Sequence, residues 1–305
     1  MSNEVLGKIV RSTGSWNTVR LEDGTHLECK LRGHFRKQGL RTTNPVAVGD
    51  FVDIILEDDK GVITNIHDRK NYIIRKSVNL SKEVHVIAAN MDQALIVATV
   101  AMPRTSFGFI DRFLCVAEAY GIDATVVFNK LDLVDNEELE MLLSDYATTY
   151  QKAGYRVHQV SAKSGDGIDN LKEHLKDKTT LVFGHSGVGK STLLNAVQTG
   201  LDLRTGEISE THSKGTHTTT FAEMFQLDFG GFVIDTPGVK EFGMVNMTKD
   251  ELYHYFPDIF KTSDACKFGN CVHLNEPGCN VKQEVESGII SDSRYSSYIS
   301  IMATL

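Results

Sequence analysis

The segment Gly184-His185-Ser186-Gly187-Val188-Gly189-Lys190-Ser191 has the residue types and spacing of a phosphate cradle. Glycines let successive backbone N–H groups turn inward around an anion, and a helix opening at Lys190 aims the positive end of its dipole at the same point. Lys190 would reach the β- and γ-phosphates of a nucleotide, and the Ser191 hydroxyl would ligate Mg²⁺. The run Thr180-Leu181-Val182-Phe183 before the segment and Thr192-Leu193-Leu194-Asn195-Ala196-Val197 after it supply the strand and helix that a G-x-x-x-x-G-K-[ST] match requires.

Two shorter motifs address the base. Asn129-Lys130-Leu131-Asp132 follows the apolar run Thr125 to Phe128, and Ser161-Ala162-Lys163 follows Arg156 to Val160. In a doubly wound sheet both fall at the carboxyl edge, where ligands bind. A carboxylate only accepts, so Asp132 can take the N1–H and exocyclic N–H of guanine, whereas adenine presents an acceptor at N1. The predicted nucleotide is therefore GTP. Downstream, Gly215-Thr216-His217-Thr218-Thr219-Thr220 reads as a switch whose Thr219 closes on Mg²⁺. Asp235-Thr236-Pro237-Gly238 would give a second-sphere carboxylate from Asp235 and a γ-phosphate contact from Gly238. Each tetrapeptide alone could be an ordinary strand-end turn; it is their joint placement in one α/β unit that points to a nucleotide site.

Three of the five cysteines crowd into Cys266-x4-Cys271-x-His273-x5-Cys279. Three thiolates and one imidazole fill a tetrahedron and leave no open position, so the expected ion is structural Zn²⁺. An odd cysteine count with this clustering suits a reducing compartment better than a disulfide framework. Cys29 and Cys115 read as small apolar residues, and His26, His67, His85, His158 and His174 have no comparable partners in the sequence.

The elements that must position these groups change character along the chain. Residues 1–75 show short alternating runs at 6–10, 18–21, 51–56 and 61–66 separated by turn signals, the pattern of a small closed barrel such as an OB-fold. Within it, Lys30 to Arg41 carries five cations around Phe35, which fits either an RNA contact or a solvated loop. Residues 76–240 alternate strand and helix, predicting a mainly parallel sheet covered on both faces. Residues 241–305 turn polar and helical: Thr248 to Glu251 reads as a capping box opening a helix, the Cys/His cluster interrupts, and a last helical stretch begins near Asn280.

The motifs run Asn129, Ser161, Gly184, Thr219, Asp235, whereas ordinary GTPases begin with the phosphate loop; the sheet is circularly permuted, as chains with neighbouring surface termini tolerate. The permuted order, the string Gly215 to Thr220, the preceding barrel and the C-terminal Cys/His spacing together resemble the small-subunit ribosome-assembly GTPases of the RsgA (YjeQ) family. The likeness spans essentially the whole chain. It implies a cytoplasmic GTPase, expected to be monomeric, that binds the small ribosomal subunit and its rRNA late in maturation through an OB-fold and a zinc domain, and turns GTP into GDP and phosphate.

The formal net charge of −8 argues against wholesale coating of nucleic acid, but residues 1–76 carry 13 Lys and Arg against 10 Asp and Glu, so a polyanion contact is expected at the N-terminal end. The start of the chain lacks an apolar signal segment and no apolar run is long enough to span a bilayer, so a soluble intracellular protein without a membrane partner is expected. Ras-like enzymes orient the attacking water with a glutamine next to the D-x-x-G glycine, where this chain has Val239. Slow intrinsic hydrolysis follows, with His217 the nearest substitute in sequence or else a histidine that packs or binds RNA. Two other readings compete: a P-loop ATPase or kinase, which Asp132 disfavours, and a zinc-containing RNA-binding module with a vestigial nucleotide site, which intact Lys190, Ser191 and Asp235 disfavour.

Overall fold

The computed structural model describes residues 4–32, 45–57, 60–76, 84–201, 203, 222–236 and 247–305. Along the chain come β1 (Glu4–Ser12), β2 (Asn17–Leu21), β3 (His26–Leu31), β4 (Phe51–Glu57), β5 (Lys60–Ile66), β6 (Tyr72–Lys76), β7 (Val84–Ala89) and β8 (Gln93–Ala98). Then follow α1 (Phe107–Ala119), β9 (Asp123–Phe128), α2 (Glu137–Lys152), β10 (Arg156–Gln159), α3 (Ile168–Leu175), β11 (Thr179–Phe183) and α4 (Lys190–Val197). The chain continues with β12 (Glu223–Gln226), β13 (Phe232–Asp235), α5 (Pro257–Ser263), α6 (Asn280–Glu286) and α7 (Asp292–Thr304). It divides into two compact units: residues 1–93, 175–182 and 209–243, and residues 94–174, 183–208 and 244–305.

In the first unit, β1 to β5 close into a five-stranded barrel. Antiparallel pairs β1–β2, β2–β3 and β4–β5, the parallel pair β3–β5 and the closing pair β1–β4 give the OB-fold order. Period-two alternation sends Ile9, Val19, Cys29, Val52, Ile54 and Ile63 inward, so every strand contributes to the barrel core. The run His26–Leu31, whose last two residues open the cationic segment, is a strand: Leu27 and Cys29 follow the strand period, and Cys29 is fully buried. β6 and β7 form a separate two-stranded antiparallel sheet. β11 and β13 lie parallel, and β13 turns back antiparallel onto β12. The turn between β12 and β13 needs Gly230 and Gly231, both at positive φ (95° and 88°), and a Cβ on Gly231 would lie 2.6 Å from the Lys178 carbonyl.

In the second unit, β10, β9 and β8 are sheet neighbours, with β10 and β9 parallel. Ser106 caps α1 by accepting from the Phe109 N–H, and Asn136 caps α2 by accepting from the Leu139 N–H. At the C-terminal end the expected capping box forms no α-helix. Thr248 Oγ1 donates to the Glu251 carboxylate at 3.0 Å, and the chain makes a 3₁₀ turn at Leu252–Tyr255 before α5 begins at Pro257, a residue suited to the first helical position. Leu252, Phe256, Ile259, Val281, Ile290, Tyr298, Ile301 and Met302 form a core with Cys115 of α1. Among the described residues no helix is long and apolar enough to cross a membrane.

Candidate functional site

The phosphate loop leaves a fully buried β11 and enters α4 through Gly189, which caps the helix in the left-handed region at φ 88°. A side chain there would bring its Cβ to 2.7 Å from Asn129 Nδ2, so glycine is required by space as well as by φ. Lys190 Nζ lies in the mouth of the loop and donates to the carbonyls of Gly184 (2.6 Å) and His185 (2.9 Å). Val188 is buried, while His185, Ser186, Gly187 and Thr192 are exposed and Ser191 is half-buried. His185 stacks on Phe109 of α1 with ring centroids 3.4 Å apart, and burial followed by the nearby Lys190 charge depresses its pKa, leaving a neutral imidazole beside an anion cradle.

Asn129 sits at the end of β9 and is buried. Its Nδ2 donates to the Val188 carbonyl at 2.9 Å and its Oδ1 accepts from the Ala162 N–H at 3.1 Å. One amide therefore ties the phosphate loop to the Ser161-Ala162-Lys163 loop. Lys130 adopts left-handed φ (66°) and donates from Nζ to the Met102 carbonyl at 2.6 Å. The turn that follows, Leu131–Leu133, presents Asp132, whose Oδ1 accepts from the fully buried Ser161 hydroxyl at 2.6 Å. Ser161 Oγ itself accepts from the Ser164 N–H, which fixes the direction of its proton toward Asp132. Lys163 is exposed, with Nζ 3.8 Å from Asp132 Oδ2. The result is a carboxylate held at one angle by a buried donor to Oδ1 and flanked at Oδ2 by Lys163, whose two oxygens keep lone pairs that could accept a pair of N–H donors on a base edge.

The structure adds a group that motif spacing did not reveal. Pro103, in the loop between β8 and α1, lies where a Cβ on Gly187 would meet it at 3.3 Å, and the same loop supplies the Met102 carbonyl to Lys130. The only sequence signal for it is the Met102-Pro103 dipeptide after a buried strand. Asp235 lies in β13 opposite Val182 of β11, and the Thr236 hydroxyl donates to the Val182 carbonyl at 3.3 Å. Thr219, His217, Gly238 and Val239 lie outside the described residues, as does most of the cationic segment: of its cations only Lys30 and Arg32 are described. Lys30 Nζ stands 4.2 Å from the Trp16 ring and Lys60 Nζ 5.0 Å, beside a groove of about 400 Å³ lined by Arg11, Thr13, Trp16, Thr18, Glu28 and Lys60.

Cys266, Cys271, His273 and Cys279 converge so that their donor atoms all lie within 4.8 Å of one another. His273 Nδ1 is 3.6 Å from both Cys266 Sγ and Cys279 Sγ. A tetrahedron with metal–ligand bonds of about 2.2 Å has edges of about 3.6 Å, so the set fits structural zinc. The loop is held from outside: Glu276 accepts from the N–H groups of Val272, Leu274 and Asn275, Tyr298 of α7 donates to the Val272 carbonyl, and Tyr295 to that of His273. Burial, helped by the neighbouring Cys279, pushes the Cys271 thiol up to about 12 despite the His273 N–H, so zinc must displace that proton to bind. Cys29 and Cys115 are buried and lie outside this cluster; burial likewise raises each thiol to about 12. Of the remaining histidines, His67 pairs with Asp53 at 2.9 Å and His174 takes a hydrogen bond from Arg156, both structural contacts.

Residues 66–245 match the RsgA GTPase family and residues 6–63 match the RsgA N-terminal domain. The small ribosomal subunit biogenesis GTPase RsgA of Bacteroides fragilis is 53% identical over 297 residues, 97% of this chain and 96% of that protein. The crystal structure of YjeQ from Thermotoga maritima superposes with a TM-score of 0.81 at 38% identity, covering 99% of this chain and 98% of that one. The structure of YloQ, a circularly permuted GTPase, gives 0.77 at 32% identity, covering 99% and 95%. With the base loops preceding the phosphate loop, a closed barrel in front and a zinc-type cluster behind, the chain belongs to the RsgA GTPase family.

Proposed function

We propose that this chain is a GTP hydrolase that acts in the biogenesis of the small ribosomal subunit, binding the subunit through rRNA late in its maturation. The observation that carries the reading is the Asn129 amide, which joins the phosphate loop to the loop whose Ser161 aims Asp132, so that phosphate cradle and guanine reader form one site. In this reading Gly184 to Thr192 hold the phosphates, with Lys190 on the β- and γ-phosphates and Ser191 and Thr219 on Mg²⁺. Asn129, Lys130, Asp132, Ser161, Ala162 and Lys163 hold the base; Asp235 and Gly238 sense the γ-phosphate, and His217 is the candidate for orienting water. We assign functional parts at 1–75, 76–240 and 241–305, a division supported for the first two by separate family matches at 6–63 and 66–245, and the Cys/His set would hold zinc. A cytoplasmic monomer is the working form we assign to it.

Because Val239 can neither donate nor accept through its side chain, the free protein should hydrolyse GTP slowly, and the subunit should raise the rate by about 10³ to 10⁵ on completing the site. The test is single-turnover hydrolysis of GTP and ATP by the wild type and His217→Ala, with and without small subunits. ATP competing as well as GTP would overturn the base assignment, and fast hydrolysis by the free wild type would overturn the incomplete site. Equal stimulation of the variant would pass the water to a group supplied by the ribosome.

A further inference from the structure

Helix α1 carries contacts that the nucleotide reading does not use. At its first turn Phe109 stacks on His185 of the phosphate loop and on Phe183 of β11, with centroids 3.4 and 5.5 Å away. Two residues on, and so on a different face of the helix, Asp111 is fully buried and accepts from Arg294 Nη1 of α7 at 2.7 Å. Arg294 is itself 1% exposed, donates to both oxygens of Asp258 in α5 from Nη2 (2.7 Å) and Nε (3.1 Å), and lies over the rings of Phe256 and Tyr155. Cys115, one turn beyond Asp111, is buried in the same core as Tyr298 and Met302 of α7.

A fully buried guanidinium between two carboxylates is costly to bury and costlier to leave half-paired, so its partners are held to one geometry. Burial alone would weaken its charge, but Asp111 and Asp258 more than compensate and hold Arg294 well above its ordinary pKa. We infer that Arg294 is a positioning residue for the phosphate loop: through Asp111 it sets α1, and through Phe109 α1 sets His185, so nucleotide binding and the seating of α5 and α7 are linked. Binding linkage is reciprocal, so a nucleotide that fixes His185 tightens α7 on α1 to the same degree that the seated α7 favours the nucleotide.

The inference rests on the proposed nucleotide site, and Cys115 offers a readout independent of hydrolysis. Its thiol can be alkylated only when the core that α1 shares with α7, α5 and the Leu252–Tyr255 turn opens, and peptide-resolved mass spectrometry separates it from the other four cysteines. In the full-length protein, saturating GDP should slow Cys115 alkylation by about fivefold or more, the lower end of ordinary coupling. In Phe109→Leu, which keeps an apolar side chain but loses the ring stack, the rate without GDP should stay near wild type and the slowing by GDP should disappear. Arg294→Lys keeps a charge but not the fork, and should raise the Cys115 rate without GDP while weakening affinity for a fluorescent GDP analogue. If GDP binds by that analogue yet leaves the wild-type Cys115 rate unchanged, or if Phe109→Leu retains the full slowing, the linkage is wrong. If the analogue does not bind the wild type, the nucleotide site falls and the linkage with it.

Discussion

Asn129 and Cys271 mark two ways of bringing loops together. At Asn129 a single neutral amide joins segments far apart in the chain, using one donor and one acceptor that the fold already points at each other. At Cys271 four donors lie within the span 266–279, and three of them are thiols that repel one another once ionised, so the cluster becomes favourable only around a cation. The proposed nucleotide site is thus a product of the fold, whereas the Cys/His loop would make the fold depend on its ion. Loss of zinc and loss of the amide should therefore damage different parts of the molecule.

The largest effect should come from the ion. Chelation, or Cys271→Ser, should remove stabilisation on the order of 10 kcal/mol from the Cys/His loop. Amide hydrogen exchange should show residues 265–281 losing protection while α7, held by Tyr298, Met302 and Arg294, retains it and GDP affinity persists. A collapse of GDP affinity in step with zinc loss would break the distinction. Asn129→Ala should act the other way round. It strands the buried Val188 carbonyl, at a cost of about 1–3 kcal/mol, together with the part-buried Ala162 N–H, and should weaken guanine nucleotide binding while zinc content stays the same. Unchanged GDP affinity in that variant would mean that the amide is not what holds the two loops in register.

Much of this contrast was legible in the residues. The strand, glycine loop and helix over 179–197 could be read because glycine spacing reports backbone conformation directly, and the convergence of the Cys/His set because ligand chemistry restricts spacing. The strands at 6–10, 51–56 and 61–66 showed their period-two pattern, but His26–Leu31 was obscured because Lys30 and Glu28 occupy its outward positions and make a half-buried strand resemble a charged loop. The capping box at Thr248 misled because the local side-chain bond forms while tertiary packing of Leu252 and Phe256 breaks the helix into a turn. Nothing in the spacing foretold the Asp111–Arg294–Asp258 set, since its members are joined only when α1, α5 and α7 meet.

The smallest effect concerns acid. His158 in β10 is half-buried with Nε2 unbonded among the described residues, and burial, then the Arg156 charge, lowers its pKa from the ordinary 6.5. Above 6.5 neither folded nor unfolded chain carries that proton; as pH falls through 6.5 the unfolded chain takes it up first, so stability declines until the folded pKa is passed. Urea midpoints from about pH 8 to about pH 5 should fall more for the wild type than for His158→Gln. A parallel decline in both would assign the acid sensitivity elsewhere, with the zinc ligands the first place to look.

The Asn129 amide has a further consequence for how the molecule is made. Its partner Val188 lies 59 residues downstream. At about 5–20 residues per second, translation delivers the base-reading half some seconds before the phosphate loop that completes it. β1 waits longer still, since Arg11 pairs with Glu223 of β12. The barrel can close on the nascent chain once β5 emerges, but no nucleotide can be gripped until well over half of the polypeptide has left the exit tunnel. Because the proposed site needs both loops, nucleotide binding falls late in the life of each new chain, after synthesis has passed residue 188.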